Sequence, residues 1–564
     1  MSNLKDTSLP VLMAGVAALT ATTVATITYY WTKQREDAKH NAHIYREYER
    51  EKMLKAKTAQ ARMQKEEPPS GTLLKDVTID KIFLWELEDL SKKYPSALVE
   101  NMMHNKSVGV SKSSIRSPVM RQQSSVSDSD EKGGHSHGAT PYNKLISNHE
   151  CIVADIVRKP NMHTHTVAFV RAGARRLLHF DPKHVNAAIV TCGGLCPGLN
   201  NVIREITKTL HQSYAIGGKV YGIQGGFRGF HDPNLQPLIL TPELVDNIHH
   251  EGGTVLGSSR GGFDLDKILN FIQTKKINQL YVIGGDGTHR GAFRLHEGCM
   301  ERGLNVAVAG IPKTIDNDVD YIDQSFGFQS AVEAAQVAIR SAKTEAVCNL
   351  PNGVGIVKLM GRSAGYIAAH ATMASSDVDL CLVPEVPVVL EGPNGCLPHL
   401  RRRVKHQGYA VVVVAEGAGE EVLGTSAETD ASGNKKLPPI GEFMKKVVTE
   451  HFAKFDEVAT VKYIDPSYTV RSVPANAADS LYCMQLAQNA CHGAMAGFTG
   501  FSVGLCNNRM VWLPIPELVA TSPRSMNANG RTWERVLALT RQPNTVEPKE
   551  EAKEKKELPK VAAV

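Results

Sequence analysis

The sequence predicts an α/β protein of two lobes with mainly parallel sheets, because three features recur between about Val185 and Leu513. Short, nearly continuous apolar runs have the composition of strands that helices cover on both faces. Each run ends in a polar or glycine-rich turn, and a helix-like segment follows. The strand and turn pairs are VNAAIVT with GGLCPGLN, KVYGIQ with GGFRGF, QLYVI with GGDGTHRGA, LNVAVAG with IPKTIDND, GVGIVKL with MGRSAGY, and YAVVVVA with EGAGEE.

Composition narrows the function classes only slightly. With 564 residues, 42% hydrophobic and 22% charged, the chain is globular and too long for one ordinary core, which excludes collagen, pure disorder and a multi-span membrane protein. A net charge of +6 is too mild to indicate a nucleic-acid partner. The ten cysteines include no CxxC pair, which indicates a reducing compartment. Cys192 and Cys196, within TCGGLCPG, indicate local turn geometry rather than a metal or redox site.

Residues 1–35 are predicted to form an N-terminal membrane anchor. Val11–Trp31 is a run of 21 residues without a charge, which at about 1.5 Å per residue spans a layer of roughly 30 Å. Aromatic residues end the run, Lys33 and Arg35 follow at once, and Lys5 is the only basic residue before it, so the bulk of the chain should face the cytosol. Because the span is only moderately apolar and a basic flank follows it, the mitochondrial outer membrane is weakly preferred to the endoplasmic reticulum as the membrane of the anchor. A cleaved import peptide, or a cytoplasmic protein, is the alternative.

Residues 36–144 are predicted to contain no part of the main fold. Residues 36–67 indicate a charged, solvated helix, and 105–140 a Ser- and Gly-rich linker that cannot bury enough surface to fold alone. Between them, apolar residues at near-helical spacing indicate a segment that docks on the folded domain or binds a partner; they are Ile82, Leu84, Trp85, Leu87 and Leu90. Residues 546–564 are predicted to form a charged tail.

The turns carry the chemistry of phosphate binding. Glycines let backbone N–H groups approach an anion, and the N-terminus of the following helix favours negative charge. The turn IPKTIDNDVD adds Lys313, Thr314, Asp316 and Asp318 directly after a buried strand. Two carboxylates, a cation and a hydroxyl at a strand end indicate an active site. An Asn/Asp turn capped by Thr314 or Asp318 explains the polarity, but it does not explain Lys313 or the neighbouring GGDG turn.

Seven motifs in order resemble those of the 6-phosphofructokinase family, in particular the long branch of plants and trypanosomatids. They are GGLCPGLN, LGSSR, GGDGT, PKTIDND, KLMGRSAG, AEG and PSYTVR, and the similarity covers roughly residues 145–540. The resemblance implies two Rossmann-like lobes, with a nucleotide-binding lobe at 145–327, a sugar-phosphate lobe at 328–474 and a return to the nucleotide lobe at 475–545. It implies ATP-dependent phosphorylation of fructose 6-phosphate at C1, the committed step of glycolysis.

On the nucleotide side, the resemblance implies that ATP is bound by Gly193, Arg260, Gly261, Gly285, Asp286, Gly287, Thr288 and Lys313. Asp286 matches the residue that holds Mg²⁺, whose charge neutralises the phosphate oxygens.

On the sugar side, Asp316 resembles the general base that takes the proton of the C1 hydroxyl. Thr314 and Arg362 complete the catalytic set that the resemblance implies. The residues implied in substrate binding are Thr314, Ile315, Asp316, Met360, Gly361, Arg362, Glu416, Tyr468 and Arg471.

The phosphoryl donor depends on two of these positions. In relatives that use diphosphate, an aspartate stands where this chain has Gly287 and fills the space of the ATP α-phosphate. Lys313 is the residue found in the diphosphate users, but Gly287 together with Lys313 resembles the ATP-dependent plant and trypanosomatid enzymes. ATP is therefore the expected donor and diphosphate the alternative. Lys358 is a candidate for the basic residue that a neighbouring subunit supplies in short bacterial relatives.

Two further alternatives belong to other classes. A membrane-tethered scaffold of this fold would normally have lost the base or the metal carboxylate, and this chain keeps both. Kinases of NAD or lipids that share only GGDG lack TIDND and MGR. A homotetramer is what the resembling branch implies.

Overall fold

The computed structural model describes residues 81–85, 87–90, 94–95, 145–157, 165–424 and 437–546. The predicted anchor, charged helix and linker, and the tail from residue 547 on, lie outside these ranges. Within the described residues, no helix has both the length and the apolar character that crossing a bilayer requires.

The larger sheet has ten strands, and most of its central pairings are parallel. Its strand order is β1-β5-β18-β17-β11-β10-β7-β8-β9, with β4 paired to β5. The bounds are β1 Lys81–Trp85, β4 Cys151–Val153, β5 His165–Arg171, β7 Ala187–Thr191, β8 Val220–Ile223, β9 Leu238–Leu240, β10 Gln279–Gly284, β11 Ala307–Pro312, β17 Phe501–Cys506 and β18 Arg509–Pro514. Strands β7, β10 and β11 are buried along their whole length, as expected of a parallel sheet covered on both faces.

The smaller sheet has four strands, all of them parallel. Its order is β13-β14-β12-β15, with bounds β12 Gly353–Leu359, β13 Leu380–Leu382, β14 Tyr409–Ala415 and β15 Thr460–Ile464. The remaining strands form two short pairs; they are β2 Glu88–Asp89 with β16 Phe498–Thr499, and β3 Tyr94–Pro95 with β6 Leu177–Leu178. The predicted α/β class with mainly parallel sheets is confirmed.

Helices follow the strands, as the alternating pattern predicts. In chain order they are α1 Leu199–Lys208, α2 Leu265–Thr274, α3 Asp286–Glu301, α4 Phe328–Cys348, α5 Tyr366–Ser375, α6 Cys396–Gln407, α7 Glu420–Leu423, α8 Ile440–Ala453, α9 Ser467–Ser472, α10 Ala477–Ala496, α11 Ile515–Thr521 and α12 Arg531–Thr540. Helix α4 packs on β12 and β14 of the smaller sheet and also contacts α10, which packs on β11 of the larger sheet. The segment predicted to return at 475–545 contacts both sheets. It supplies β17 and β18 of the larger sheet. On the side of the smaller sheet, α12 packs on α5 and the Gln542 side chain hydrogen-bonds the backbone of Cys381 in β13.

The segment predicted to dock on the folded domain begins with a strand, β1, so the helical conformation that its spacing indicated is wrong for Lys81–Trp85. Lys81–Trp85 pairs in parallel with His165–Phe169 at the edge of the larger sheet. Its sequence KIFLW is rich in residues that favour strands, and a run this short is ambiguous from periodicity alone. The chain continues along the domain, where the backbone N–H of Leu90 donates to the carbonyl oxygen of Gly497 at 2.9 Å. Docking within the same chain is the alternative that the structure shows.

Candidate active site

An open cleft of about 1100 Å³ lies at the carboxyl ends of strands from both sheets. This is where ligands of open α/β sheets bind, because polar turns and helix N-termini gather there. Eight residues singled out from the sequence line it; they are Gly193, Arg260, Lys358, Met360, Arg362, Glu416, Tyr468 and Arg471. Asp465 and Ser467 also line the cleft and were missed, although they directly follow β15 and the same strand-end rule would have found them.

The GGDG turn joins β10 to the N-terminus of α3. Gly285 precedes the helix and Asp286 occupies its first turn, so the dipole of this 16-residue helix favours an anion beside them. Apart from its neighbours and the backbone of its own helix, no heavy atom of the described residues lies within 4 Å of a Cβ placed on Gly287, so the space that an aspartate would fill is open. The side chain of Thr288 folds back on the strand end, where a Cβ on Gly284 would lie 2.5 Å from it.

The GGLCPGLN turn brings cations to the same region. Gly193 has φ +86°, a conformation that favours glycine, and a Cβ there would lie 3.7 Å from Lys313 Nζ. Hydrogen bonds hold the turn to the LGSSR loop: Gly193 N–H donates to the Ser259 carbonyl at 3.0 Å, and the Ser258 hydroxyl donates to the Gly193 carbonyl at 2.6 Å. A Cβ on Gly194 would meet Arg471 Nη1 at 3.7 Å and Arg260 Nη2 at 3.9 Å. Arginines from both sides of the cleft therefore reach one glycine turn.

Asp316 is not among the residues that line the cleft, but its charge interacts with those of Glu416 and Arg362, which do line it. The Oδ1 of Asp316 is inaccessible to solvent and has no hydrogen-bond partner among the described residues. Burial, followed by the charges of Asp318 and Glu416, raises the pKa of Asp316 to about 8, and Lys313 and Arg362 offset only part of this rise. The backbone N–H of Asp316 donates to Thr314 Oγ1 at 3.1 Å, which fixes the turn. A buried carboxyl whose pKa is raised towards neutrality has the properties of a general base.

Two more aspartates share this electrostatic environment. Burial and the charge of Asp318 raise the pKa of Asp286 to about 6. Burial also raises the pKa of Asp318, although a hydrogen bond from Thr314 and the charge of Arg524 oppose the rise. No group of three His, Cys, Asp or Glu side chains in the described residues is arranged to hold a metal ion. Mg²⁺ is usually bound by one or two carboxylates together with substrate phosphates and water, and Asp286 beside Asp318 fits that donor set.

Lys313 is a buried cation that faces these carboxylates. Its side chain is 7% exposed, and burial lowers its pKa, whereas Asp316 and the nearby cysteines act in the opposite direction. The backbone N–H of Lys313 donates to the Gly284 carbonyl at 2.9 Å and so joins the ends of β11 and β10. Ile315, singled out with these residues, has its side chain in the hydrophobic core, so only its backbone can face a substrate.

The other wall of the cleft is built on the smaller sheet. Gly361 has φ +130°, and a Cβ there would lie 2.6 Å from the Ala364 carbonyl oxygen, so this turn requires glycine. The backbone N–H of Glu416 donates to the Leu359 carbonyl at 2.9 Å, and burial raises the pKa of its carboxyl. Lys358 Nζ lies 2.6 Å from Asp465 Oδ2.

Tyr468 and Arg471 stand at the entrance of the cleft on α9. The Tyr468 side chain is 76% exposed, and the Arg471 guanidinium lies 4.8 Å from the centre of its ring. Arg471 Nε is inaccessible to solvent, and no described residue is its hydrogen-bond partner. This wall combines cations with a carboxylate and an aromatic hydroxyl, a set that suits a phosphorylated polyol.

Arg524 was not found from the sequence. Its backbone N–H donates to the Asp318 carbonyl oxygen at 2.7 Å. Its Nε is inaccessible to solvent and finds no hydrogen-bond partner within the ranges that the structure describes. It lies about 200 residues along the chain from Asp318, outside every strand-and-turn unit, so no local pattern indicates its position.

Comparisons with known proteins agree with this geometry. The family model described as phosphofructokinase matches residues 186–494. The ATP-dependent 6-phosphofructokinase 7 of Arabidopsis thaliana is 50% identical over 396 residues, which are 70% of this chain and 81% of that protein. The ATP-dependent 6-phosphofructokinase of Trypanosoma brucei brucei is 44% identical over 375 residues, 65% of this chain and 75% of that protein.

Solved structures support the fold. The pyrophosphate-dependent phosphofructokinase of Marinobacter aquaeolei has a TM-score of 0.53 at 20% identity, over 65% of this chain and 94% of that chain. The enzyme of the same description from Nitrosospira multiformis has a TM-score of 0.52 at 18% identity, over 66% and 95%. At such identities these two matches concern the fold alone. On the family model and the identity to its curated relatives, the chain belongs to the phosphofructokinase family.

Proposed function

We propose that the protein transfers the γ-phosphoryl group of ATP to the C1 hydroxyl of fructose 6-phosphate, giving fructose 1,6-bisphosphate and ADP. The observation that carries this proposal is Asp316, a carboxylate whose Oδ1 has no hydrogen-bond partner in the described part of the chain, whose pKa is raised to about 8, and on which the charges of Lys313 and Arg362 act. Relatives at 44–50% identity are named ATP-dependent 6-phosphofructokinases, which supports the same donor and acceptor. The reaction is the committed step of glycolysis.

Asp316 is the proposed base. It accepts the proton of the C1 hydroxyl as that oxygen attacks the γ-phosphorus, and the bond from that phosphorus to the β-phosphate oxygen breaks in line. Arg362 and Arg260 stabilise the charge on the transferred group, and Thr314 keeps the Asp316 turn in place. The raised pKa is favourable because a base with a pKa near the working pH combines a useful ionised fraction with proton affinity.

The nucleotide and its metal are assigned to the larger sheet. Gly193, Gly261, Gly285, Gly287 and Thr288 lie in or beside the turns that would approach the phosphates. Asp286 is the proposed Mg²⁺ carboxylate, and Asp318 is the second carboxylate beside it. When bound, the ion neutralises charge on the phosphate oxygens.

The sugar phosphate is assigned to the smaller sheet. Arg471 and Tyr468 bind the 6-phosphate, Glu416 accepts hydrogen bonds from ring hydroxyls, and Met360 and Gly361 shape the turn that carries Arg362. Ile315 contributes through its backbone. Lys358 is excluded from direct phosphate binding in this proposal, because its ammonium group is paired with Asp465 at 2.6 Å.

ATP is preferred to diphosphate on one structural feature. A Cβ on Gly287 would meet no other part of the described chain within 4 Å, apart from its neighbours and the backbone of its own helix, and this supports room for the α-phosphate. The decisive experiment measures phosphoryl transfer to fructose 6-phosphate by the purified protein, with ATP and with diphosphate side by side. Turnover with ATP alone supports the proposal. Turnover with diphosphate alone reverses the donor, and turnover with neither rejects the activity in favour of the scaffold.

We further propose that residues 1–35 anchor the enzyme on the cytosolic face of a membrane, with the mitochondrial outer membrane favoured over the endoplasmic reticulum, and that the protein is a homotetramer. The first proposal is supported by the uncharged run Val11–Trp31 and its basic flank. The second is supported by the family alone. Division of the chain into lobes at 145–327, 328–474 and 475–545 belongs to the same set of proposals.

A further inference from the structure

The segment Ser522–Met526, here named the strap, lies between α11 and α12 and contacts two loops of the cleft. On the side of the larger sheet it holds the loop after β11. There the backbone N–H of Asp320 donates to Ser522 Oγ at 3.1 Å, and the backbone N–H of Arg524 donates to the Asp318 carbonyl oxygen at 2.7 Å. The strap is thus hydrogen-bonded on both sides of Val319, immediately beyond the proposed base.

On the side of the smaller sheet, the strap holds the loop after β12. Ser525 Oγ donates to the Ser363 carbonyl at 3.1 Å, and the Tyr366 hydroxyl donates to the Ser525 carbonyl at 3.3 Å. The Arg524 guanidinium lies 5.6 Å from the centre of the Tyr366 ring, a cation–π distance. Ser363 directly follows Arg362, so this loop also belongs to the catalytic set.

Glu385 joins the strap to this second loop. Its Oε1 accepts from the backbone N–H of Met526 at 2.7 Å and from that of Gly365 at 2.9 Å, and Oε2 lies 3.1 Å from the same Gly365 nitrogen. Gly365 precedes α5, where a helix dipole favours negative charge. One half-buried carboxylate therefore connects the N-terminus of α5 with the strap.

The two loops belong to different sheets, which gives the strap its importance. Asp316 and Asp318 follow β11 of the larger sheet, and Arg362 follows β12 of the smaller one. In-line phosphoryl transfer requires these groups at a fixed separation, and a misplacement of about 1 Å can reduce the rate about 100-fold.

We propose that the strap Ser522–Met526, anchored by Glu385, positions the loop of Asp316 and Asp318 against the loop of Arg362. Arg524 and Ser525 of the strap, and Glu385 that anchors it, act on the site through other groups and are therefore positioning residues. The inference rests on the proposed function in so far as both loops are assigned to its site.

Amide hydrogen exchange tests the coupling without any reference to activity. Ser525→Ala removes only the hydroxyl that donates to Ser363, on the side of the smaller sheet. The proposal expects amides at 363–366, and also those at 318–325 across the cleft, to exchange about fivefold faster, as the loss of one hydrogen bond implies. Ser341→Ala is the matched control, since Ser341 is an exposed serine whose Oγ donates to the Val337 carbonyl at 2.9 Å. Faster exchange confined to 363–366 overturns the proposal.

Kinetics of the holoenzyme supply the second arm. Glu385→Ala breaks the junction and should lower kcat by about 10- to 100-fold, while the Kd for a non-hydrolysable ATP analogue stays within about twofold. Glu385→Gln keeps Oε1 as the acceptor for both N–H groups and should retain most of the turnover, because burial already disfavours the charge of Glu385.

An unchanged kcat in a folded Glu385→Ala protein, or equal loss in both Glu385 variants, overturns the inference. If Glu385→Ala does not fold, the exchange result for Ser525→Ala decides alone. If the unaltered protein does not phosphorylate fructose 6-phosphate, the proposed function fails, and the exchange result still decides whether the strap couples the loops.

Discussion

Replacing Asp316 with asparagine should make the protein more stable and almost inactive. The change keeps the shape of the side chain and removes a carboxylate whose Oδ1 has no partner. Because a positioned base contributes about 10²–10⁴ in rate, kcat should fall by that order while the KM for ATP changes little. Stability should rise because folding of the wild type must either take up a proton at Asp316 or bury its charge, and asparagine requires neither.

The magnitude follows from the pKa. A rise from 3.8 to about 8 means that the folded state holds a proton that the unfolded state has lost. The stability that this proton contributes is fully present below pH 3.8 and is lost as the pH rises through about 8. At about 1.4 kcal/mol per unit the full shift corresponds to roughly 6 kcal/mol. The Asp316 residue as a whole is only half-buried, and screening by solvent reduces the expected gain to about 2 kcal/mol.

The assay is denaturant unfolding of both proteins at pH 5, 7 and 8.5. The difference in the free energy of unfolding, mutant minus wild type, should increase with pH and approach 2 kcal/mol at pH 8.5, by the linkage of protons to folding. Asp456→Asn is the control, because Asp456 is exposed and its φ of 56° is one that asparagine also tolerates. A difference that is zero or negative at every pH, or near-normal kcat, would refute the assignment of Asp316.

Three further predictions concern the donor, the catalytic turn and the anchor. Gly287→Asp should abolish most ATP turnover, because its carboxylate repels the phosphates, and can expose weak use of diphosphate. Gly287→Ala should retain ATP turnover, because the site has room for a methyl group. ATP turnover that persists in the aspartate variant would mean that the nucleotide pocket lies elsewhere. Gly361→Ala should lower the free energy of unfolding by about 2 kcal/mol and also lower kcat, because the φ of +130° and the Ala364 carbonyl oxygen at 2.6 Å oppose a Cβ. An unchanged melting temperature would contradict this prediction. Full-length protein should pellet with membranes, resist carbonate extraction and lose its kinase domain to protease outside sealed membranes; a mature N-terminus beyond residue 35 indicates import instead.

The strands that form the cleft could be predicted from the sequence because two local properties determine them. An apolar run covered on both faces and the turn that ends it are both written in consecutive residues, as in β10 with Gly285 and β11 with Lys313. Parallel pairing then brings the turns to one edge without further information. The proximity of Lys313 Nζ to Gly193 follows from the strand order, in which β7, β10 and β11 are neighbours.

What could not be predicted depends on contacts between distant segments. Lys81–Trp85 forms a strand by pairing with β5, a partner about 80 residues further along the chain that the five residues KIFLW do not indicate. Arg524 reaches Asp318 only because the chain after α11 crosses from one sheet to the other. Ile315 shares a turn with catalytic residues, yet its apolar side chain packs into the core, so adjacency in a motif did not mean exposure to the substrate.

The arrangement of charges explains why this site needs support from elsewhere in the fold. Burial raises the pKa of Asp286, Asp316 and Asp318, and the negative charge of Asp318 raises the pKa of the other two further, so these carboxylates repel Asp318. Lys313 offsets part of this from one side, and its own burial costs free energy. Such a cluster is held in place by hydrogen bonds to backbone groups rather than by its own interactions. The bonds from Asp316 to Thr314 and from Arg524 to Asp318 have this role, and Mg²⁺ with phosphates would relieve the repulsion only when substrate binds.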